Sequence, residues 1–240
     1  AVLFIFVGTA YNYLIKRGWE KWRMARIQAQ LQNHIVVLGY GVSGAEAVRE
    51  LIQRGTDPAC IVVVEQSAAR IAEAEEIGCT VMKGDATRDD LLMDVRVTEA
   101  DAVLVSAGRD DASILMVLTV RHLAPHVPIS VVIRAADNEL LAKQAGATNV
   151  ITPVSFTGLL LAGSAHGEHI AEYMSDLASV TGKVHLGERE VLPDEVGHNL
   201  NQLSTKGRGL RVYRNGQGYG FWEVEAQRLE KGDIIVEVVP

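Results

Sequence analysis

The chain has 240 residues, enough for one large domain or for one domain with a small companion. Apolar residues make up 48% of it, so a sizeable core is available, and the formal net charge of −7 argues against a general nucleic-acid binder. The two cysteines, Cys60 and Cys79, have no CxxC or zinc spacing; both are expected to be buried thiols at the starts of strands, in a reducing compartment.

Residues 1–15, AVLFIFVGTAYNYLI, are almost wholly apolar. As a helix they span about 22 Å, short of a hydrocarbon core of roughly 30 Å. Tyr11 and Tyr13, followed by Lys16 and Arg17, have the order of aromatic and basic residues at the cytoplasmic exit of a transmembrane helix. A signal peptide carries its positive charges before the apolar run, and a buried helix of a soluble protein shows a polar face that this segment lacks. The expectation is the end of a membrane helix, continued by a linker helix over 16–33. That linker holds five basic residues against Glu20 alone, with Trp19 and Trp22 as interfacial anchors.

Ile35-Val36-Val37-Leu38 reads as a buried parallel strand. Gly39, Gly41 and Gly44 then form G-x-G-x-x-G, and Ala45, Val48, Leu51 and Ile52 follow at helical spacing. The first glycine suits a tight turn, the second a close approach of the backbone to a pyrophosphate, and the third close packing of helix on strand. Phosphates would rest on the free N–H groups of the helix N-terminus. A second apolar run, Ile61 to Val64, ends in Glu65, close to the spacing of about 20 residues expected for a carboxylate that bonds the adenosine ribose. An acid there repels a 2′-phosphate, which favours NAD(H) or an adenine nucleotide over NADP.

The alternation continues with a helix over 67–77, a strand over 79–83, the segment GDATRDDLLMDV, and a strand over 102–106. A helix over 110–123, a strand over 128–134, a helix over 137–145 and a sixth strand over 148–151 complete it. Strands and helices in alternation with short connections predict a doubly wound, Rossmann-like parallel sheet of order 3-2-1-4-5-6 over residues 34–152. Over 153–181, VSFTGLLLAG is apolar all round, and such a helix must be buried, often on a partner subunit. From 182 to 240 short strands and turns predict a small β-rich lobe. Gly218-Tyr219-Gly220 mimics a potassium filter, but it follows the hairpin signal Asn215-Gly216 in a polar β segment and lacks the flanking pore helices a filter needs.

Taken together, the chain resembles the RCK family, regulators of K⁺ conductance found in prokaryotic potassium channels and in Trk/Ktr uptake systems. The stretches that carry this are HIVVLGYGVSG, VVVEQ, KGDATRDDLL, DAVLVSAGRDDASILMVLTVRHL, VVIRAADNELLAKQAGATNVITP and LEKGDIIVEVV, within residues 34–240. The resemblance implies an N-lobe that binds NAD(H) or ATP/ADP, a crossover helix that builds a dimer, and dimers assembled into a gating ring on a tetrameric channel. It implies that the loop Gly39, Tyr40, Gly41, Val42, Ser43 and Gly44 holds phosphate and that Glu65, with Gln66 beside it, holds the ribose. Asp85 and Ala86 would flank the adenine, Ser106 and Ala107 would line the far side, and Arg134 would be a phosphate or dimer-interface cation. The implied setting is the cytoplasmic side of the cell membrane, anchored through the N-terminal helix. A peripheral Trk/Ktr regulatory subunit is the alternative.

An NAD-dependent oxidoreductase is the reading from a different class. It needs a proton donor beside the nicotinamide, yet the strand ends offer Ser106, Ala107, Gly108 and Arg109, then Arg134, Ala135 and Ala136, with no Tyr-x-x-x-Lys and no His–Asp pair. The nucleotide is therefore expected to be a signal and the protein not an enzyme. A divalent cation is a weaker expectation, from His166, His169 and Glu172 on one helix face or from the pairs Asp89-Asp90 with Asp94 and Asp110-Asp111.

Overall fold

A computed structural model of the chain describes residues 31–203 and 205–240. The expected membrane-helix end and most of the linker helix lie outside the described residues. Among those described, no helix is long and apolar enough to cross a membrane.

The chain divides into two compact units, one ending at Thr157 and one running from Gly158 to Pro240. In the first, β1 (His34–Leu38), α1 (Val42–Gln53), β2 (Ile61–Glu65), α2 (Ala68–Ile77), β3 (Thr80–Lys83) and α3 (Asp89–Asp94) follow in order. They are continued by β4 (Ala100–Val105), α4 (Asp110–Leu123), β5 (Ile129–Val132), α5 (Glu139–Gln144) and β6 (Asn149–Ile151). The six strands form one sheet, β3-β2-β1-β4-β5-β6, and every pairing in it is parallel. That is the doubly wound order expected from sequence.

The continuous apolar runs follow from this layering. Side chains alternate along a strand, so Val36 and Leu38 enter one core with Val62, Val64, Val103, Val105 and the α4 residues Met116, Val117 and Val120. Val37 enters the other with Ile61, Val63 and the helix residues Ala45, Val48 and Ala74. A strand covered on both faces favours apolar residues at successive positions.

The helix α6 (Pro153–Ser164) straddles the boundary between the units, and none of its residues is buried. Val154, Phe156, Leu159 and Leu161 are all exposed large hydrophobics, Leu159 at 72%. The second unit continues with α7 (Ile170–Ala178), β7 (His185–Glu190), β8 (Arg208–Arg214), β9 (Gln217–Gly220) and β10 (Ile234–Val239). Its four strands pair antiparallel in the order β7-β10-β8-β9. Asn215 (φ 52°) and Gly216 (φ 79°) turn β8 into β9, the left-handed pair that a two-residue hairpin requires. Gly218-Tyr219-Gly220 is thus ordinary antiparallel strand.

The core of this unit is small: Val191, Leu200, Val212, Ala226, Leu229 and Ile235. Ion pairs supplement it. Arg189 bonds both Glu195 and Glu237, which are 1% and 5% exposed, and Arg214 forks onto buried Asp233.

Two expectations need correction. Cys60 is exposed, at the end of a short 3₁₀ turn ahead of β2, whereas Cys79 is buried. His166 and His169 do not share a helix face. They lie in the turn between α6 and α7, which begins only at Ile170.

Candidate nucleotide site

Strand order reverses between β1 and β4, and a crevice opens there at the carboxyl ends of the strands, where ligands of open α/β sheets bind. Backbone bonds set its rim. The Gly39 N–H donates to the Val64 carbonyl (2.9 Å), the Ser106 N–H to the Leu38 carbonyl (2.8 Å) and the Gly84 N–H to the Glu65 carbonyl (3.1 Å). The crevice encloses about 320 Å³, within the range of small-ligand pockets.

The three loop glycines have three different reasons to be glycine. Gly39 has φ +95°, and a Cβ there would lie 2.5 Å from the Ser106 carbonyl oxygen. A Cβ on Gly44 would lie 2.2 Å from the Gly39 carbonyl oxygen, so α1 can pack on the loop only without one. Gly41 differs: its φ of −72° suits any residue, and a Cβ would meet no protein atom within 4 Å. Nothing internal demands glycine there. The space beside it is open to the crevice that Gly41 lines.

Gly41 is also the N-cap of α1 and supplies no side-chain cap. The first N–H groups of the helix lack intrahelical partners beside the crevice that Gly41 lines, an arrangement suited to a phosphate. Val42 and Ser43 stand exposed at this end. Tyr40 contributes backbone only. Its side chain is buried in the core on the far face of the sheet, and burial pushes its phenol pKa up.

Glu65 closes the other side. Its Oε2 accepts from the Tyr40 N–H (2.8 Å), and its Oε1 from the N–H groups of Gln66 (2.8 Å) and Ser67 (2.9 Å). Burial alone raises the carboxyl pKa, but these three bonds and the nearby Arg70 outweigh it and hold the group below its ordinary value. Glu65 is an oriented carboxylate with acceptor capacity left for ribose hydroxyls.

Ala86, Ser106, Ala107 and Gln66 line the crevice. Asp85 does not. Its Oδ1 is taken by the N–H (3.0 Å) and hydroxyl (2.8 Å) of Thr87, which shapes the turn that presents Ala86. Arg134 does not line it either. Its N–H, with those of Ala135 and the Asn138 amide, donates to the Asp110 carboxylate, each at 2.9 Å. Asp110 thereby fastens α4 to the segment after β5. These bonds keep its pKa lowered, against burial as the largest opposing effect. Asp90 and Asp111 pair with Arg88 and Arg109, and among the described residues no cluster of three metal-ligating side chains exists.

Sequence reasoning left six lining residues out of the site: Val64 at the end of β2, Gly84 after β3, Gly108 and Arg109 ahead of α4, and Ala112 and Met116 on α4. Arg109 was legible only as a residue after the fourth strand. Its place in the wall follows from the helix beginning at Asp110.

Residues 35–153 match the TrkA-N domain family. That stretch is a TrkA-N domain. The TrkA-N match covers the whole parallel sheet and the crevice, and it upholds the resemblance to RCK proteins. Potassium channel protein 1 of Methanocaldococcus jannaschii is 26% identical over 212 residues, which is 85% of this chain and 61% of that protein. The chain thus spans less than two thirds of this relative's length. The human SLO3 gating ring shares the fold with a TM-score of 0.64 at 16% identity, covering 86% of this chain and 44% of that one. A GsuK channel bound to NAD aligns with a TM-score of 0.50 at 20% identity, covering 98% of this chain and 43% of that one. Around the TrkA-N domain, then, the chain is related to regulatory parts of potassium-transport proteins.

Proposed function

We propose that this chain is the cytoplasmic nucleotide-sensing domain of a prokaryotic potassium channel, and that NAD(H) or an adenine nucleotide acts on it as a regulatory ligand. One observation carries the reading. A single cleft joins a bare helix N-terminus at Gly41 to a Glu65 carboxylate already oriented by three backbone N–H groups. The first matches phosphate and the second ribose. The NAD in the GsuK channel supports the same ligand class.

A regulatory role is favoured over turnover by what else lines the cleft. Among the described lining residues the ionisable groups are Glu65 and Arg109. Neither is a proton donor suited to a carbonyl at neutral pH, and the Tyr40 phenol faces the core. A carboxylate and a guanidinium suit holding a nucleotide, and among the described lining residues no histidine, tyrosine or lysine stands beside them.

Binding would act by population shift. A ligand biases two conformations only by its difference in affinity for them, and equal affinity shifts nothing. Couplings of about 1–3 kcal/mol per site, repeated over the copies of a ring, give a steep response. The apolar, uncovered α6 suits a dimer contact between identical chains, and dimers would build the ring of a tetrameric channel in the cell membrane. Residues 1–15 would end the pore's inner helix and 16–33 would link it to the ring. The name of the TrkA-N family supports a second reading, a peripheral subunit of a Trk-type uptake system. Detergent-dependent extraction of the full-length protein separates the two.

The test is potassium flux from vesicles containing the full-length protein, with and without NAD⁺, NADH, ADP and ATP. A flux change with one ligand, abolished in Glu65→Ala, is expected. Ligand-independent flux identical in both proteins would sink the proposal.

A further inference from the structure

We propose that Arg109 is the phosphate-discriminating residue of the cleft: a guanidinium held by Asp111 that transfers to the anionic part of the bound nucleotide. This rests on the reading of the cleft as an adenine-nucleotide site. Among the described lining residues Arg109 is the one cation. The helix N-terminus of α1 offers only partial charge, which suits one phosphate but separates a second or third from none only weakly. A full charge on the cleft wall supplies that distinction.

The geometry makes the transfer easy. Arg109 is the N-cap of α4, in extended conformation. Its Nε donates to Asp111 Oδ1 (3.0 Å) and its Nη2 to Asp111 Oδ2, a forked pair two residues apart in sequence. The two side chains are 79% and 65% exposed. An ion pair so open to solvent contributes little and breaks readily, whereas a phosphate offers the same fork a charge-assisted partner. Asp111 loses nothing essential on release, because it remains an acid in the first turn of α4, where the helix dipole favours it. The neighbouring Asp110 is engaged with the segment after β5 and keeps α4 in place while Arg109 moves.

The two ends of the pair therefore have opposite effects, which no purely structural role predicts. Calorimetric titration of the whole chain with adenosine, AMP, ADP and ATP separates them, using Arg109→Gln, Arg109→Lys and Asp111→Asn. Arg109→Gln is expected to weaken ADP and ATP about tenfold while adenosine changes by less than about twofold. Arg109→Lys should recover part of the loss. Asp111→Asn should tighten ADP and ATP several-fold, by freeing the guanidinium. Wild-type affinities for ADP and ATP retained in Arg109→Gln, or weakened binding in Asp111→Asn, overturn the assignment of Arg109 and leave the cleft reading standing. Failure of the wild type to bind any of the four overturns both.

Discussion

Gly41 and Gly44 stand three residues apart in one motif and answer to different masters. Gly44 is required by the protein, because a Cβ would strike the Gly39 carbonyl oxygen, and Gly41 is not. Gly44→Ala should therefore cost about 1–3 kcal/mol of stability, as overpacking does, measured by urea unfolding. Gly41→Ala should leave stability within about 0.5 kcal/mol yet lower nucleotide affinity at least about tenfold. The division of labour among the glycines was legible in the motif; the distances that give it physical content were not, because they depend on what each Cβ would touch. Asp85 makes the same point from the other side. GDAT marks a cleft turn in sequence, but only the structure gives the carboxylate to Thr87 and the wall to Ala86.

His34 supplies a pH prediction at the same scale. It is 1% exposed, one ring nitrogen bonds the Val95 carbonyl (2.8 Å), and Nδ1 has no partner. Burial is the largest influence and lowers its pKa. The Val95 carbonyl, Glu99 and Asp101 pull the other way, and Arg96 adds to the lowering. The folded state thus resists the proton more than the unfolded chain does. Stability is complete above the unfolded value of about 6.5 and is lost as the pH falls from there through the lower folded value. In unfolding curves between pH 7.5 and 5.5, His34→Gln should flatten part of this decline, and an unchanged pH slope would contradict the account.

At the scale of elements, α6 and the ion clusters of the C-terminal unit depart most from simple patterning. The sequence of α6 announces burial on every side, yet within one chain its large hydrophobics are exposed. Periodicity says that a helix must be covered without saying by what. If identical chains cover it, Leu159→Glu should shift the protein from dimer to monomer in sedimentation while the unfolding midpoint of the monomer stays unchanged. The C-terminal strands were legible from their turns and alternation, but Arg189 was not. In sequence it is one charge in a polar strand, and in the fold it neutralises two buried carboxylates. Arg189→Met removes the cation that both carboxylates share. Breaking a buried pair in this way costs about 3–5 kcal/mol, so the variant should lose the cooperative thermal transition of the C-terminal unit, and an unshifted transition would be inconsistent with the cluster's proposed weight. Cys60 was misread for a related reason: an apolar strand follows it at once, but Asp57 and Pro58 build a 3₁₀ turn that holds it outside.

At the scale of the molecule, the order of the parallel sheet followed from the regular alternation of apolar runs, since right-handed crossovers and short loops leave few other windings. The crevice followed from that order, because the sheet reverses direction of growth between β1 and β4. Contacts made by loop side chains did not follow. Arg134 illustrates this: the resemblance implied a phosphate or dimer-interface cation, and its backbone N–H, bound to Asp110, serves the segment after β5 outside the crevice lining. Whether the cleft takes a nucleotide is decided by binding. Calorimetry on the whole chain with NAD⁺, NADH, AMP, ADP and ATP should show one tight ligand, with affinity lost in Gly41→Ala and in Glu65→Ala while both variants stay folded. No heat from any of them with the folded wild type, or full affinity in both variants, would contradict it.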